Sequence, residues 1–197
     1  MPLDKLLEVT QFGSSFSLTD QRKNLICNTV INLNLGINRE TVNDKHWIYF
    51  PEKAYSFYRL GFWSSISSSM APLGTSSLYG EVSLLNPSQR AINQKTLQAK
   101  REIMSLFKIK QEEICIEKIL KLDHAYVIYN KWRKDNLEAL LQKLSEQFGI
   151  YSIGRFGGWK YSSMQEAVLD GQKVALDIAQ RSEFHIPLLE KNVAQNL

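Results

Sequence analysis

The segment GRFGGWKYSSMQEAVLDG, residues 154–171, combines residue types that are suited to holding a ligand. Glycine lets the backbone approach another group closely, and the first turn of a helix offers N–H groups that attract anions. We interpret IYSIG as a strand, RFGGWKY as a loop and SSMQEAV as the start of a helix, which Ser162 or Ser163 could cap. This layout is typical of a loop that contacts a cofactor. The alternative is a helix-capping loop with a packed tryptophan.

Other combinations of reactive residues are absent. The three histidines lie in different segments without metal-ligand spacing, and the sequence contains no G-x-S-x-G. Cys27 and Cys115 are far apart in apolar settings without C-x-x-C spacing, which favours two reduced thiols. We therefore predict neither a metal site nor a catalytic residue in this chain.

Composition indicates a globular protein. The 197 residues are 44% hydrophobic and 22% charged, with a net charge of +4. Because acidic residues are interspersed among the basic ones, the charge pattern argues against nucleic-acid binding. The N-terminal MPLDKLLEV lacks the features of a signal peptide, and no apolar run reaches the ~18 residues of a membrane span. We predict a cytoplasmic protein without membrane contact.

The first half of the chain predicts sequential strands. VINLNLGI alternates apolar and polar residues, which is typical of a strand with one buried face. HWIYF, SFYRLGFW and SLYGEVSLL are further strand candidates, and their short, turn-rich connections favour antiparallel pairing. A later strand is predicted within ICIEKILKLDHAYVIYN, although its first half could be helical.

Helices are predicted at both ends and in the second half. PLDKLLEV predicts a short one. The segment from Asn86 to Phe107 predicts a polar helix that is charged all round and forms a solvated cover, with Asn86 as its N-cap candidate. KDNLEALLQKLSEQFG has four leucines on one face and Gly149 as its stop. SSMQEAVLDGQKVALDIAQR is the last helix.

These elements together predict an α/β (α+β) fold: a mostly antiparallel sheet with flanking helices, followed by a terminal strand, loop and helix. We assign residues 1–145 to a substrate-domain-like part, 146–182 to the strand–loop–helix and 183–197 to a tail. The strand–loop–helix is too small to form a sheet by itself.

The segment GRFGGWKYSSMQEAVLDGQKVA resembles the C-terminal flavin-binding segment of the UDP-galactopyranose mutase and flavin amine oxidase superfamily. Three features match in order and spacing: Gly154-Arg155, Trp159-Lys160-Tyr161 and Ser163-Met164. Two further stretches are similar to regions of these proteins. They are WIYFPEKAYSFYRLGFWSSISSSMAPLGTSSLYGEVS and HAYVIYNKWRKDNLEALLQKLSEQFGIYSIGRF.

The resemblance implies a role for six residues. Gly154 and Arg155 would lie against the ribityl and pyrophosphate portion of FAD, because glycine permits close approach and arginine offers a planar fork to phosphate. Ser163 and Met164 would lie by the flavin ring at a helix N-terminus. Arg59 and Tyr161 match residues at the substrate site. Without the resemblance, Arg59 would be interpreted as a solvated strand residue.

The sequence departs from the family in three ways. Many mutases have an acidic residue where Ser163 stands, and the loop SSISSSMAP lacks the aromatic residue of the eukaryotic pattern, so substrate identity stays open. Proteins described as protoporphyrinogen oxidases or amine oxidases share these motifs. The G-x-G-x-x-G fingerprint of a dinucleotide-binding unit is absent, so the resemblance covers only the C-terminal portion of such an enzyme.

Two functions follow from the resemblance as expectations. The chain is the C-terminal part of an FAD-dependent oxidoreductase or mutase that acts on a nucleotide sugar or through flavin hydride transfer. Alternatively, it is a truncated non-catalytic fragment or subunit that needs a separate N-terminal FAD-binding chain or a homo-oligomer. In both, this chain holds only part of the FAD site, and the isolated chain is expected to be inactive.

Overall fold

The computed structural model describes residues 1–10 and 21–181, which form two compact units. The sheet unit is Cys27–Tyr126, and the helix unit combines Met1–Ile26 with Val127–Leu197. Residues 127–145, which the sequence analysis placed with the sheet, therefore pack with the C-terminal segment. The substrate and flavin roles proposed for 1–145 and 146–182 stay predictions, and the tail 183–197 lies outside the described residues.

The sheet unit contains the antiparallel sheet that the sequence predicts. Five strands lie in the order β2-β3-β4-β1-β5, and the pairs β1–β4, β3–β4 and β2–β3 are antiparallel. The strands are β1 (Cys27–Ile37), β2 (Trp47–Tyr49), β3 (Arg59–Phe62), β4 (Ser76–Leu84) and β5 (Ile114–Val127). The α/β fold class is thus confirmed.

The core of the sheet unit lies between one face of the sheet and a single long helix. Alternate residues of β1 are buried, as its apolar-polar alternation predicts. After the short α2 (Trp63–Ile66), the helix α3 (Gln89–Leu106) crosses the sheet. Residues at helical spacing bury one side of α3, namely Ile92, Thr96, Ala99 and Ile103. The prediction of a helix solvated all round is therefore wrong.

The N-cap of α3 also differs from the prediction. Ser88, rather than Asn86, caps the helix, because its side chain accepts a hydrogen bond from the Ala91 N–H. Asn86 instead adopts a positive φ of 44° in the preceding turn, a conformation that asparagine tolerates better than most residues.

The helix unit consists of helices and their connections in its described residues. They are α1 (Leu3–Val9), α4 (Lys131–Phe148), α5 (Gly154–Gly157) and α6 (Met164–Arg181). Three of the four leucines predicted to share a face of α4 are buried, and Gly149 ends the helix with a left-handed φ of 65°. Both features confirm the sequence prediction for α4.

The strand predicted at IYSIG does not form. Residues 150–153 have no regular secondary structure, and a one-turn helix, α5, begins at Gly154. Ile150 and Ile153 favour extended backbone, but a strand also needs a neighbouring strand to accept its hydrogen bonds. The described part of the helix unit offers none.

Two kinds of feature are absent from the described residues. None of the described helices combines the length and the apolar character that crossing a bilayer requires. No group of three or more His, Cys, Asp or Glu side chains in the described ranges is placed to bind a metal ion.

Candidate functional site

A row of polar and aromatic side chains crosses four neighbouring strands of the sheet. Arg59 in β3 lies opposite Tyr49 in β2 and Glu81 in β4. Glu81 in turn lies opposite Asn32 in β1. Because directly opposed residues of antiparallel strands project to the same face, these side chains share one surface. Strand register therefore places Arg59 between a tyrosine and a carboxylate.

The centre of this row is a largely buried ion pair. Arg59 donates from Nη2 to Glu81 Oε1 at 2.6 Å, and the Glu81 side chain is only 9% exposed. The other carboxylate oxygen accepts a short hydrogen bond from the Tyr58 hydroxyl. Burial, followed by this hydrogen bond, raises the pKa of Tyr58 well above its usual range. Glu81 is thus held by two neighbours.

Arg59 keeps donor capacity beyond this pair. Burial lowers the pKa of its guanidinium, but hydrogen bonds to Glu81 and Tyr49 outweigh burial and the pKa is raised. Nη1 is 3.5 Å from the Tyr49 hydroxyl, and Nε is buried without a hydrogen-bond partner among the described residues. A fixed guanidinium with unused donors suits an anion such as a phosphate or carboxylate.

Two packed aromatic rings lie beside Arg59. The ring of Tyr79 covers Gly61, where an added Cβ would meet the ring at 2.0 Å. Trp63 packs on the same ring with centroids 4.5 Å apart. Glycine at position 61 is therefore required by the close approach of Tyr79. The sheet surface thus offers a cation next to stacked rings.

In the helix unit, the predicted cofactor loop begins at Gly154. This residue has a φ of 75°, and a Cβ built there would meet no atom within 4 Å. Its N–H donates to Asp170 Oδ2 at 3.0 Å, and Lys160 donates to the other Asp170 oxygen at 2.8 Å. These contacts, led by the Lys160 hydrogen bond, lower the pKa of Asp170. Asp170 therefore ties the loop to α6.

The two glycines at the C-terminal end of α5 have a structural explanation. A Cβ at Gly158 would lie 2.8 Å from the Gly154 carbonyl oxygen, and one at Gly157 would lie 3.1 Å from Ser152 Oγ. Trp159, next in sequence, is fully buried with a positive φ of 47°. The packed-tryptophan alternative therefore describes these residues, whereas Gly154 is open.

Ser163 and Met164 lie at the N-terminus of α6. Ser163 Oγ accepts from the Glu166 N–H at 3.2 Å, and Glu166 accepts from the Ser163 N–H at 2.6 Å. This reciprocal capping box confirms that Ser163 caps the helix, and the backbone hydrogen bond lowers the pKa of Glu166. Met164 is 89% exposed. The N-terminus of α6 is thus capped and accessible.

Arg155 and Tyr161 lie within reach of each other. The guanidinium carbon of Arg155 is 5.9 Å from the centre of the Tyr161 ring. The Tyr161 N–H donates to the Tyr129 hydroxyl at 2.8 Å, and their rings are 5.3 Å apart. The guanidinium carbon of Arg133 lies 3.7 Å from the centre of the Tyr129 ring. Cations and aromatic rings therefore alternate along this surface.

A cavity of about 980 Å³ lies within the helix unit. Its lining comes from α4, from the segment before and after α5, and from α6. Leu137, Leu141 and Val174 supply apolar surface, and the rest of the lining is largely charged or polar. A volume of this size is typical of ligand pockets.

The structure distributes the predicted site residues over both units. Gly154, Arg155, Tyr161, Ser163 and Met164 belong to the helix unit, and Arg59 belongs to the sheet unit. Sequence reasoning missed Glu81, although it lies in the Glu-Val-Ser stretch that carried the resemblance. It also missed Asp170, whose role depends on how α6 packs against the loop.

Two solved structures share the fold of this chain. A reduced UDP-galactopyranose mutase superposes with a TM-score of 0.79 at 21% identity, over 93% of this chain and 41% of that one. A protein from Exiguobacterium sp. 255-15, provisionally assigned as a protoporphyrinogen oxidase, superposes with a TM-score of 0.70 at 12% identity, over 92% and 40%. No protein-family model matches the sequence. The chain spans about two fifths of these relatives.

Proposed function

We propose that this chain is the C-terminal part of an FAD-dependent oxidoreductase or mutase that resembles UDP-galactopyranose mutase. It would act on a nucleotide sugar or through flavin hydride transfer. The observation that carries the proposal is the fold shared with a UDP-galactopyranose mutase over 93% of this chain. Two of the residues on which the sequence resemblance rests are accessible to a ligand: Gly154 has open space at its Cβ position, and Met164 is 89% exposed.

The loop residues fit one side of a flavin. The open Cβ position of Gly154 leaves room for close approach, and Arg155 offers a fork for phosphate oxygens. At the start of α6, Glu166 already occupies the Ser163 N–H. The Glu166 N–H donates to Ser163 Oγ. The N–H groups of Met164 and Gln165 have no backbone acceptor within the helix and would face an electron-rich ring edge. A bound flavin would supply the hydride- or group-transfer chemistry, and these residues would position it.

The sheet residues fit the charged end of a nucleotide sugar. Arg59 would bind a phosphate through the donors that Glu81 leaves unused, and Glu81 would keep the guanidinium in place. The neighbouring ring of Tyr49, which is 60% exposed, offers surface for a sugar or base. Tyr161, in the helix unit, is proposed as a second substrate contact.

Calorimetric titration of the purified chain with UDP-galactose tests the substrate part of the proposal. We expect saturable binding that weakens at least about tenfold in Arg59→Lys, because a lysine ammonium cannot replace a planar fork. Arg101→Lys, on the exposed side of α3, is the matched control and should bind like wild type. Equal affinity in all three proteins would contradict the role of Arg59.

A second candidate function is a non-catalytic fragment or subunit that needs an N-terminal FAD-binding partner. The chain covers only 41% of the mutase structure, and none of the described α6 side chains is fully buried. Several apolar ones are exposed, namely Met164, Val168, Leu169 and Ile178. Such a helix surface is typical of one that another polypeptide covers.

Flavin absorbance distinguishes the two candidates. If the second holds, the purified chain retains no flavin. Flavin is retained only after co-expression with a neighbouring coding sequence that contains a strand–G-x-G-x-x-G–helix unit. Tight FAD binding by this chain alone, abolished in Arg155→Ala, would favour the proposed enzyme function and contradict the second candidate function.

A further inference from the structure

The outer edge of the sheet carries the longest strand of the sheet unit. β5 runs over 14 residues, Ile114–Val127, and is the last strand in the sheet order. Within the described residues, only β1 pairs with it. A long edge strand with unpaired backbone groups is a template for pairing with another strand.

The side chains of β5 are unusual for a free edge. Residues 115–123 are exposed on both faces, and they include four large aliphatic side chains: Ile116, Ile119, Leu120 and Leu122. The most exposed of the four is Ile116, at 63%. Edge strands that avoid pairing carry charges, prolines or bulges. β5 does carry charges, so their arrangement decides whether they oppose or support pairing.

The charges of β5 are self-complementary in one antiparallel register. If Ile119 lies opposite Ile119 of a second copy, Glu117 of each copy lies opposite Lys121 of the other. Ile116 then lies opposite Leu122, so aliphatic side chains also meet. The symmetry of the pair produces the Glu117–Lys121 and Ile116–Leu122 contacts twice each, and the Ile119–Ile119 contact once, on the axis.

Neighbouring registers are disfavoured. A two-residue shift keeps the sheet faces matched, because side chains alternate with a period of two. A shift in one direction places Lys118 opposite itself, and a shift in the other places Glu117 opposite Asp123. Like charges directly opposite each other destabilise strand pairs. The charge pattern therefore selects the register centred on Ile119.

Existing ion pairs leave these charges available. Glu117 accepts from Lys100 of α3 at 2.6 Å, and Lys121 contacts Asp123 at 2.7 Å. The Lys121 and Glu117 side chains are nevertheless 47% and 36% exposed. Each has room for a second partner, so pairing would extend these contacts into a network.

We propose that the outer edge of β5 is a homodimer interface, in which two copies of this chain pair β5 antiparallel with Ile119 at the twofold axis. The partner is a second copy because the complementary charges both lie on β5 itself. The two sheets would join into one continuous sheet, with the two α3 helices on the same face. This inference is independent of flavin or substrate binding.

Charge reversal tests the interface and its register together. Sedimentation velocity and light scattering of the full chain should show a concentration-dependent dimer. E117K creates a Lys–Lys opposition and K121E a Glu–Glu opposition, each occurring twice, so each variant alone should dissociate about tenfold more readily. Mixed in equal amounts, the two variants should recover the wild-type affinity, because each then supplies the charge that the other lacks.

Controls make the outcome decisive. K53E, in an exposed turn away from β5, should dimerise like wild type, and circular dichroism should show that all variants fold. A wild-type chain that stays monomeric at every accessible concentration would overturn the proposal. So would a dimer that neither E117K nor K121E weakens, since pairing would then use another surface or another partner.

Discussion

The two units of the chain bury their residues differently. The sheet unit has a contiguous core in which β1, β3, β4 and α3 contribute buried aliphatic side chains, and its charged pair is largely enclosed. The helix unit includes an 18-residue helix, α6, without a fully buried side chain among those described. The comparison indicates that the sheet unit has a contiguous core of its own, apart from its exposed edge strand β5, whereas α6 lacks buried side chains among those described and retains surface for another partner.

The largest expected difference between the units concerns aliphatic truncation. Leu33→Ala in β1, where the side chain has no exposed surface, should lower the free energy of unfolding by about 3 kcal/mol. Val168→Ala in α6, where the side chain is 70% exposed, should change it by less than about 0.5 kcal/mol. Denaturant titration of both variants measures the contrast. A similar loss in each would show that α6 is already covered in solution.

Removing a carboxylate should produce a smaller difference between the two units in the loss of unfolding free energy. Glu81→Gln leaves the Arg59 guanidinium largely buried without its counter-charge, which should cost about 2 kcal/mol. Glu8→Gln in α1 removes only exposed ion pairs with Lys5 and Arg22, so its effect on the free energy of unfolding should be far smaller. Thermal unfolding monitored by circular dichroism compares the two. A destabilisation by Glu8→Gln equal to that of Glu81→Gln would refute the assignment of Glu81 as an enclosed anchor.

Within the helix unit, replacing a glycine by alanine should have opposite effects on stability at two positions, because only one of them has a positive φ. Gly154→Ala places a Cβ on a residue with φ of 75°, which should cost about 1 kcal/mol through backbone strain alone. Gly171→Ala, in α6 with open space around it, should instead stabilise by about 0.5–1 kcal/mol. Chemical denaturation of both variants gives the sign. Stabilisation by Gly154→Ala would contradict the observed loop conformation.

The smallest effect we predict is a difference in pH dependence. Burial and the Glu81 hydrogen bond raise the pKa of Tyr58 from 10.0. Its contribution to stability is therefore complete below pH ~10 and is lost as pH rises further. The Lys160 hydrogen bond lowers the pKa of Asp170 from 3.8, so its contribution is present above pH ~4 and is lost as pH falls.

Unfolding midpoints measured across pH assign these two transitions to their residues. Tyr58→Phe should flatten the alkaline limb of the stability profile and leave the acid limb unchanged. Asp170→Asn should do the opposite. If either variant flattens both limbs, the two units are coupled and the comparison between them fails.

Local periodicity was sufficient to predict most elements. The alternation in VINLNLGI predicted β1, and the leucine spacing with Gly149 predicted α4, because both signals reflect which face of the element is buried. The strand at IYSIG was predicted wrongly, since residue type cannot show whether a neighbouring strand exists. The buried face of α3 was overlooked because Thr96 and Ala99 contribute little hydrophobic signal to a polar sequence.

The candidate site could be predicted only in part. Arg59 and the loop residues came from resemblance, and their functional roles stay predictions. Glu81 is 22 positions from Arg59 in sequence and becomes its partner only through the register of β3 and β4. The link between Asp170 and Gly154 likewise depends on tertiary packing that no local pattern encodes.

The β3–β4 hairpin has a consequence for how this surface could diversify. Residues 63–75 connect the two strands, and the ladder itself, not the length of this connection, holds Arg59 opposite Glu81. Insertions or deletions in the connection would leave the charged anchor where it is. Descendants of this chain could therefore acquire new binding preferences through changes in the connection 63–75 alone, while the Arg59–Glu81 ion pair is retained.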